Sequence, residues 1–196
     1  VLKDMERAKD RFLIDTCDHQ MSVELAEGAY THLRFAQPKT NIYAYGIMSW
    51  PGYLTICGDT PAFIFSREPD MLAFFEKCGE IPDPVYLSGK LLGQPKTKRY
   101  SPDAFKREVE RWLRETLEQI EDEDEREFLK IGVKQDLLRS VPDFAEEALP
   151  RLEAFEAEGH RIQDPFEWDL CDWDQAFLWS LWAITEGIKQ FREATE

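Results

Sequence analysis

The sequence predicts an α+β protein: an N-terminal helix, a five-stranded antiparallel meander, then an acidic helical half packed on the sheet. Three observations predict it. Apolar spacing changes from threes and fours to alternation near residue 21, and back again after Pro69. The alternating runs are joined by links of about two to five residues, too short for parallel crossovers. The net charge of −15 also divides unevenly. Residues 1–100 hold 13 acidic and 12 basic side chains, whereas residues 101–196 hold 26 and 12. The 196 residues suit one domain: helix plus sheet over 1–79, an irregular connection over 80–100, and a helical half over 101–196.

Residues 3–17 read as a helix, with Met5, Ala8, Phe12, Leu13 and Cys17 toward one side. Met21, Val23 and Leu25 then alternate with Ser22 and Glu24, which is strand spacing. Across the turn at Ala26–Ala29, Leu33 and Phe35 face one way, and Tyr30, His32 and Arg34 the other. Residues 37–41 form a loop, and Ile42–Trp50 a third strand. Pro51-Gly52 reverses the chain, because Pro presets the first central turn position and Gly accepts positive φ. Tyr53–Cys57 and Ala62–Ser66 complete the meander around a turn at 58–61.

Met71, Leu72, Phe74 and Phe75 mark a short apolar helix ending near Gly79. Ser101-Pro102-Asp103 opens another, with Ser as cap, Pro in the first turn and an acid beside the positive helix end. Phe105, Val109, Trp112, Leu113 and Ile120 mark its buried side. Further helices are expected over 128–138 and from Pro142, the latter with Phe144, Leu149, Leu152 and Phe155 inward and Pro150 as a kink. From Asp174, apolar residues including Phe177, Leu181, Trp182 and Ile188 give a helix broad enough in its apolar face to close the core.

Composition excludes several classes. No apolar run approaches the roughly 18 residues that span a bilayer, and Val1–Arg7 lack the pattern of a secretory leader. Cys17, Cys57, Cys78 and Cys171 are dispersed, as expected of reduced, mostly buried thiols in a cytoplasm, and no zinc-knuckle spacing occurs. Phosphate backbones require a positive footprint, so direct nucleic-acid binding by the acidic half is disfavoured and a basic partner surface favoured. Residues 93–98 hold lysines and a threonine without phosphate-loop spacing. No Gly-x-Ser-x-Gly elbow appears.

Asp15–His19, Tyr30-Thr31-His32-Leu33-Arg34-Phe35, Ser49-Trp50-Pro51-Gly52-Tyr53, Gly58-Asp59, Phe65-Ser66-Arg67 and Asp70–Phe75 together resemble a family of small uncharacterised bacteriophage and prophage proteins. Trp168-Asp169-Leu170, Phe177-Leu178-Trp179 and Gly187–Phe191 are similar to the end of the same proteins. The likeness covers 12–75 and 165–192 and leaves out the acidic middle. It implies a phage setting, in the cytoplasm of an infected bacterium, and carries no assigned reaction.

Two constellations bear on function. Asp15, Asp18, His19, His32, Arg34 and Asp59 contain two imidazoles with carboxylates, which can bind metal or move protons. Their spacing matches no catalytic motif, and cross-strand pairing and turn-forming roles account for them. Tyr43, Tyr45 and Tyr53 are expected to align with Tyr30 on one sheet face, either to stack bases or to lie under helices. The second constellation is Glu108, Glu115, Glu118, Asp122 and Glu125, whose spacing makes a carboxylate stripe able to imitate a phosphate backbone. Its structural alternative is a solvated face softened by Lys106, Arg107, Arg111 and Arg114.

The expected function is that of a phage-encoded acidic interaction protein, without cofactor or metal. It would bind and inhibit a host protein or protein–nucleic-acid complex with a basic surface, as an anti-CRISPR does. The alternatives are a small metal-dependent enzyme using His19, His32 and nearby carboxylates, or a phage structural or housekeeping component.

Overall fold

The computed structural model describes residues 1–195, which fall into two compact units: 1–97 with the chain from 173 onward, and 98–172. The first unit begins with helix α1 (Leu2–Asp15). Its five strands follow in sheet order: β1 (Gln20–Glu27), β2 (Tyr30–Ala36), β3 (Tyr45–Trp50), β4 (Tyr53–Gly58) and β5 (Phe63–Ser66). Every neighbouring pair is antiparallel. The expected meander is the observed one.

Helices α2 (Met71–Lys77) and α3 (Pro84–Ser88) follow, each opened by an Asp side chain that accepts from the first turn. After residue 173 comes α7 (Gln175–Thr195), where Asp174 Oδ1 accepts from Ala176 and Phe177 N–H. Leu33, Phe35, Ile47, Leu54, Ile56 and Phe65 form the buried sheet face, with α1, α2 and α7 in the same core. The Trp182 indole N–H donates to the Met5 carbonyl at 2.9 Å, fastening α7 to α1. Gly187 lets α7 lie close: a Cβ there would stand 2.6 Å from Ile47 Cδ1. The outer edge of β5 is covered by residues 90–92, since Ser66 N–H donates to Lys90 O and Leu92 N–H to Ile64 O, each at 2.9 Å. The opposite edge, β1, carries a bulge between Val23 and Leu25.

Strand β6 (Lys98–Tyr100), which opens the second unit, pairs with β9 (Cys171–Trp173), whose first two residues close it. Between them lie α4 (Pro102–Leu117), α5 (Glu123–Val133), a π-helical turn at Lys134–Leu138, α6 (Ala145–Ala154), the hairpin of β7 (Glu156–Ala157) and β8 (His160–Arg161), and a 3₁₀ turn at Pro165–Glu167. Ser101 caps α4 as expected, its hydroxyl accepting from Asp103 and Ala104 N–H. Phe105, Val109, Leu129, Val133, Leu137 and Leu152 centre a separate core.

Some expectations differ in the structure. The third strand starts at Tyr45 rather than Ile42, because Tyr43 adopts a left-handed backbone (φ 54°) whose N–H donates to Asp59 Oδ2. Tyr45 is buried on the helix-covered face, so it does not join Tyr30 and Tyr53. Leu13 and Cys17 are exposed, the buried side of α1 being Met5, Ala8 and Phe12. Phe144 is exposed because it precedes α6 in extended backbone. Pro150 sits within α6 without ending it.

Candidate functional site

The two expected constellations have different fates. In the first unit, Asp15 Oδ2 accepts from Arg11 Nε at 2.9 Å, and Arg11 Nη2 donates to the Tyr43 hydroxyl at 2.8 Å. These hydrogen bonds, Asp15 first, hold the Arg11 guanidinium above its ordinary pKa. Asp59 reaches the same corner through the Tyr43 backbone. Around it is a cleft of about 180 Å³ lined by Arg11, Asp15, Tyr43, Thr60, Gln175 and Trp179 among others. Thr60, Gln175 and Trp179 carry no sequence signal as its neighbours, because only the assembled fold brings α1, the turn at 60 and α7 together.

The rest of that set does not converge. His19 is stacked toward Tyr45, with both ring nitrogens buried and unbonded. His32 lies on the opposite sheet face, opposite Leu25 and Met48. Arg34 Nη2 donates to Asn41 Oδ1 at 2.8 Å, and Asp18 is exposed. Among the described residues, no group of three His, Cys, Asp or Glu side chains is placed to hold a metal.

The acidic constellation is redistributed rather than dispersed. Arg111 spans Glu108 and Glu115, bonding the first through Nε at 3.2 Å and approaching the second at 3.5 Å. The hydrogen bond to Glu108 is the chief cause of the raised Arg111 pKa. Asp122 caps α5 by accepting from Glu125 N–H at 2.9 Å. Glu125 Oε1 in turn meets His160 Nε2 at 2.9 Å. Among the described residues, only Glu118, the capping residue at the C-terminal end of α4, is left of the five without an ion pair or side-chain hydrogen bond.

Charge nevertheless remains exposed nearby. Glu121, between α4 and α5, and Asp124, in the first turn of α5, are exposed and form no ion pair among the described residues. With Glu118 they bracket the α4–α5 corner. Asp124, Phe128 and Ile131 follow at helical spacings of four and three, so they share one outward strip of α5. Phe128 is 58% exposed and Ile131 42%. Their spacing relative to the buried Leu129 and Val133 was the available signal for this strip. Over residues 98–172 the sequence carries 22 acidic and 12 basic side chains, a net −10, against −5 for the remainder.

No family model matches this chain. Comparison with curated proteins and with solved structures likewise gives no match. What the protein does is therefore a question for its own residues. No described helix is long and apolar enough to cross a membrane.

Proposed function

We propose that this chain is an interaction protein whose 98–172 unit binds a basic surface of another macromolecule. The observation that carries the proposal is the exposed corner of Glu118, Glu121 and Asp124 beside Phe128 and Ile131. Unpaired carboxylates supply long-range attraction and orientation, while an adjoining aromatic–aliphatic pair supplies desolvated contact. Taking the phage resemblance as its setting, the partner is a host protein or protein–nucleic-acid complex. Occupation of its basic surface would exclude nucleic acid.

Charge reversal tests the proposal. The immobilised chain is exposed to bacterial lysate at about 50 mM and about 500 mM salt, alongside the triple variant Glu118→Lys, Glu121→Lys, Asp124→Lys. A basic protein retained at low salt, released at high salt and missed by the variant supports it. Equal capture by both chains, or capture of no basic protein, overturns it.

A further inference from the structure

The uncovered face of the five-stranded sheet breaks the usual alternation of such sheets, in which solvent-facing positions are polar. One cross-strand row on this face runs through all five strands: Leu25, His32, Met48, Thr55 and Ile64. On one side lies a bulky row, with Glu27 opposite Tyr30, and Trp50 stacked on Tyr53 at 5.4 Å. On the other lies a row of mostly smaller residues: Ser22, Arg34, Gly46 and Cys57. Tyr30 is 54% exposed, and Leu25, Tyr53 and Ile64 each about 40%.

We infer that this face docks a second copy of the same chain, face to face, about a two-fold axis along the Leu25–Ile64 row. Such an axis packs the central row on itself and exchanges the two outer rows. Trp50 of one copy then covers Gly46 of the other, and Tyr53 covers Cys57, so large residues meet small ones. Tyr30 comes over Arg34, an aromatic face over a guanidinium. Glu27 comes beside Arg34, so the face's opposite charges meet across the axis. Five strands about 4.8 Å apart and three rows about 6.8 Å apart give a footprint of roughly 480 Å² per copy. Over two copies this is about 1,000 Å², the lower bound for a specific interface. The three rows hold one acid, Glu27, and one base, Arg34, with Glu24 beside Ser22 at the bulge, so this face carries little of the −15 of each chain and two copies can approach here at small electrostatic cost.

Sedimentation equilibrium of the full chain, over about 1–200 µM, tests the inference. The expected mass rises toward twice the 23.0 kDa of one chain, and more readily at high salt, which screens the repulsion. Met48→Glu is expected to give a monomer with an unchanged circular dichroism spectrum. Glu27→Arg and Arg34→Glu should each weaken association about tenfold, and the double swap should restore it. A wild-type chain that stays at 23.0 kDa throughout overturns the inference. So does a dimer indifferent to Met48→Glu or to the charge swap.

Discussion

At the residue scale, Trp182 joins two kinds of stabilisation. Its ring is buried to 2% exposure, its N–H satisfies the Met5 carbonyl, and Lys9 Nζ stands 4.5 Å from the ring centroid. Trp182→Ala should cost about 3–5 kcal/mol in urea unfolding, whereas Trp182→Phe, which keeps most of the packing, should cost about 1–2 kcal/mol. A smaller loss for Ala would mean that the core collapses around the gap. Asp172 offers a second residue-scale prediction. Burial opposes its ionisation, but hydrogen bonds from Arg107 and Ser101, with the charges of Arg107 and Lys98, outweigh burial and lower its pKa. A carboxyl lowered in the fold stabilises at neutral pH, and that contribution disappears as pH falls through the folded value. Asp172→Asn should therefore lower Tm at pH 7, with the gap from wild type narrowing below about pH 4. A gap constant down to pH 3 would assign the effect to packing instead.

At the element scale, the meander was legible because alternation and turn chemistry agree: Leu33 and Phe35 point inward as their spacing predicts, and Pro51-Gly52 turns β3 into β4. Tyr45 was not legible as an inward residue. Its facing depends on the reversal at 51–52, where Trp50 and Tyr53 pair on the same outer side, and on Tyr43 leaving the strand. The acidic stripe was legible as composition but not as geometry. Helical spacing brings Glu108 and Glu115 together, yet the same spacing brings Arg111 between them, and His160 arrives on Glu125 from 35 residues away. The short pairs β6–β9 and β7–β8 left no periodic signal, being only two or three residues long. Capping was readable where its chemistry is local. Ser101→Ala should cost about 1 kcal/mol, seen as a lower urea midpoint at unchanged slope.

At the scale of the whole molecule, residues 98–172 form a unit inserted between Thr97 and Trp173. The ends of the first unit meet without it, since Asp174 N–H donates to Thr97 O at 2.8 Å. Replacing 98–172 by a short Gly-Ser bridge should leave a chain that unfolds cooperatively and retains the β-sheet signature in circular dichroism. By the proposed function, it should also no longer capture a basic protein. A molten product would show that the sheet unit depends on its insertion.

The same connectivity sets an order of events during synthesis. The sheet and α1 emerge first, but α7, which must cover them, follows 75 residues later. Until it arrives, Phe35, Ile47 and their neighbours lack the helix that lies against them, and the nascent chain exposes apolar surface. Early folding of the insertion would shorten the effective span that α7 must cross, because a compact body with adjacent ends closes a loop at less entropic cost than 75 free residues. The inserted unit would then also act as a folding aid for the scaffold that carries it.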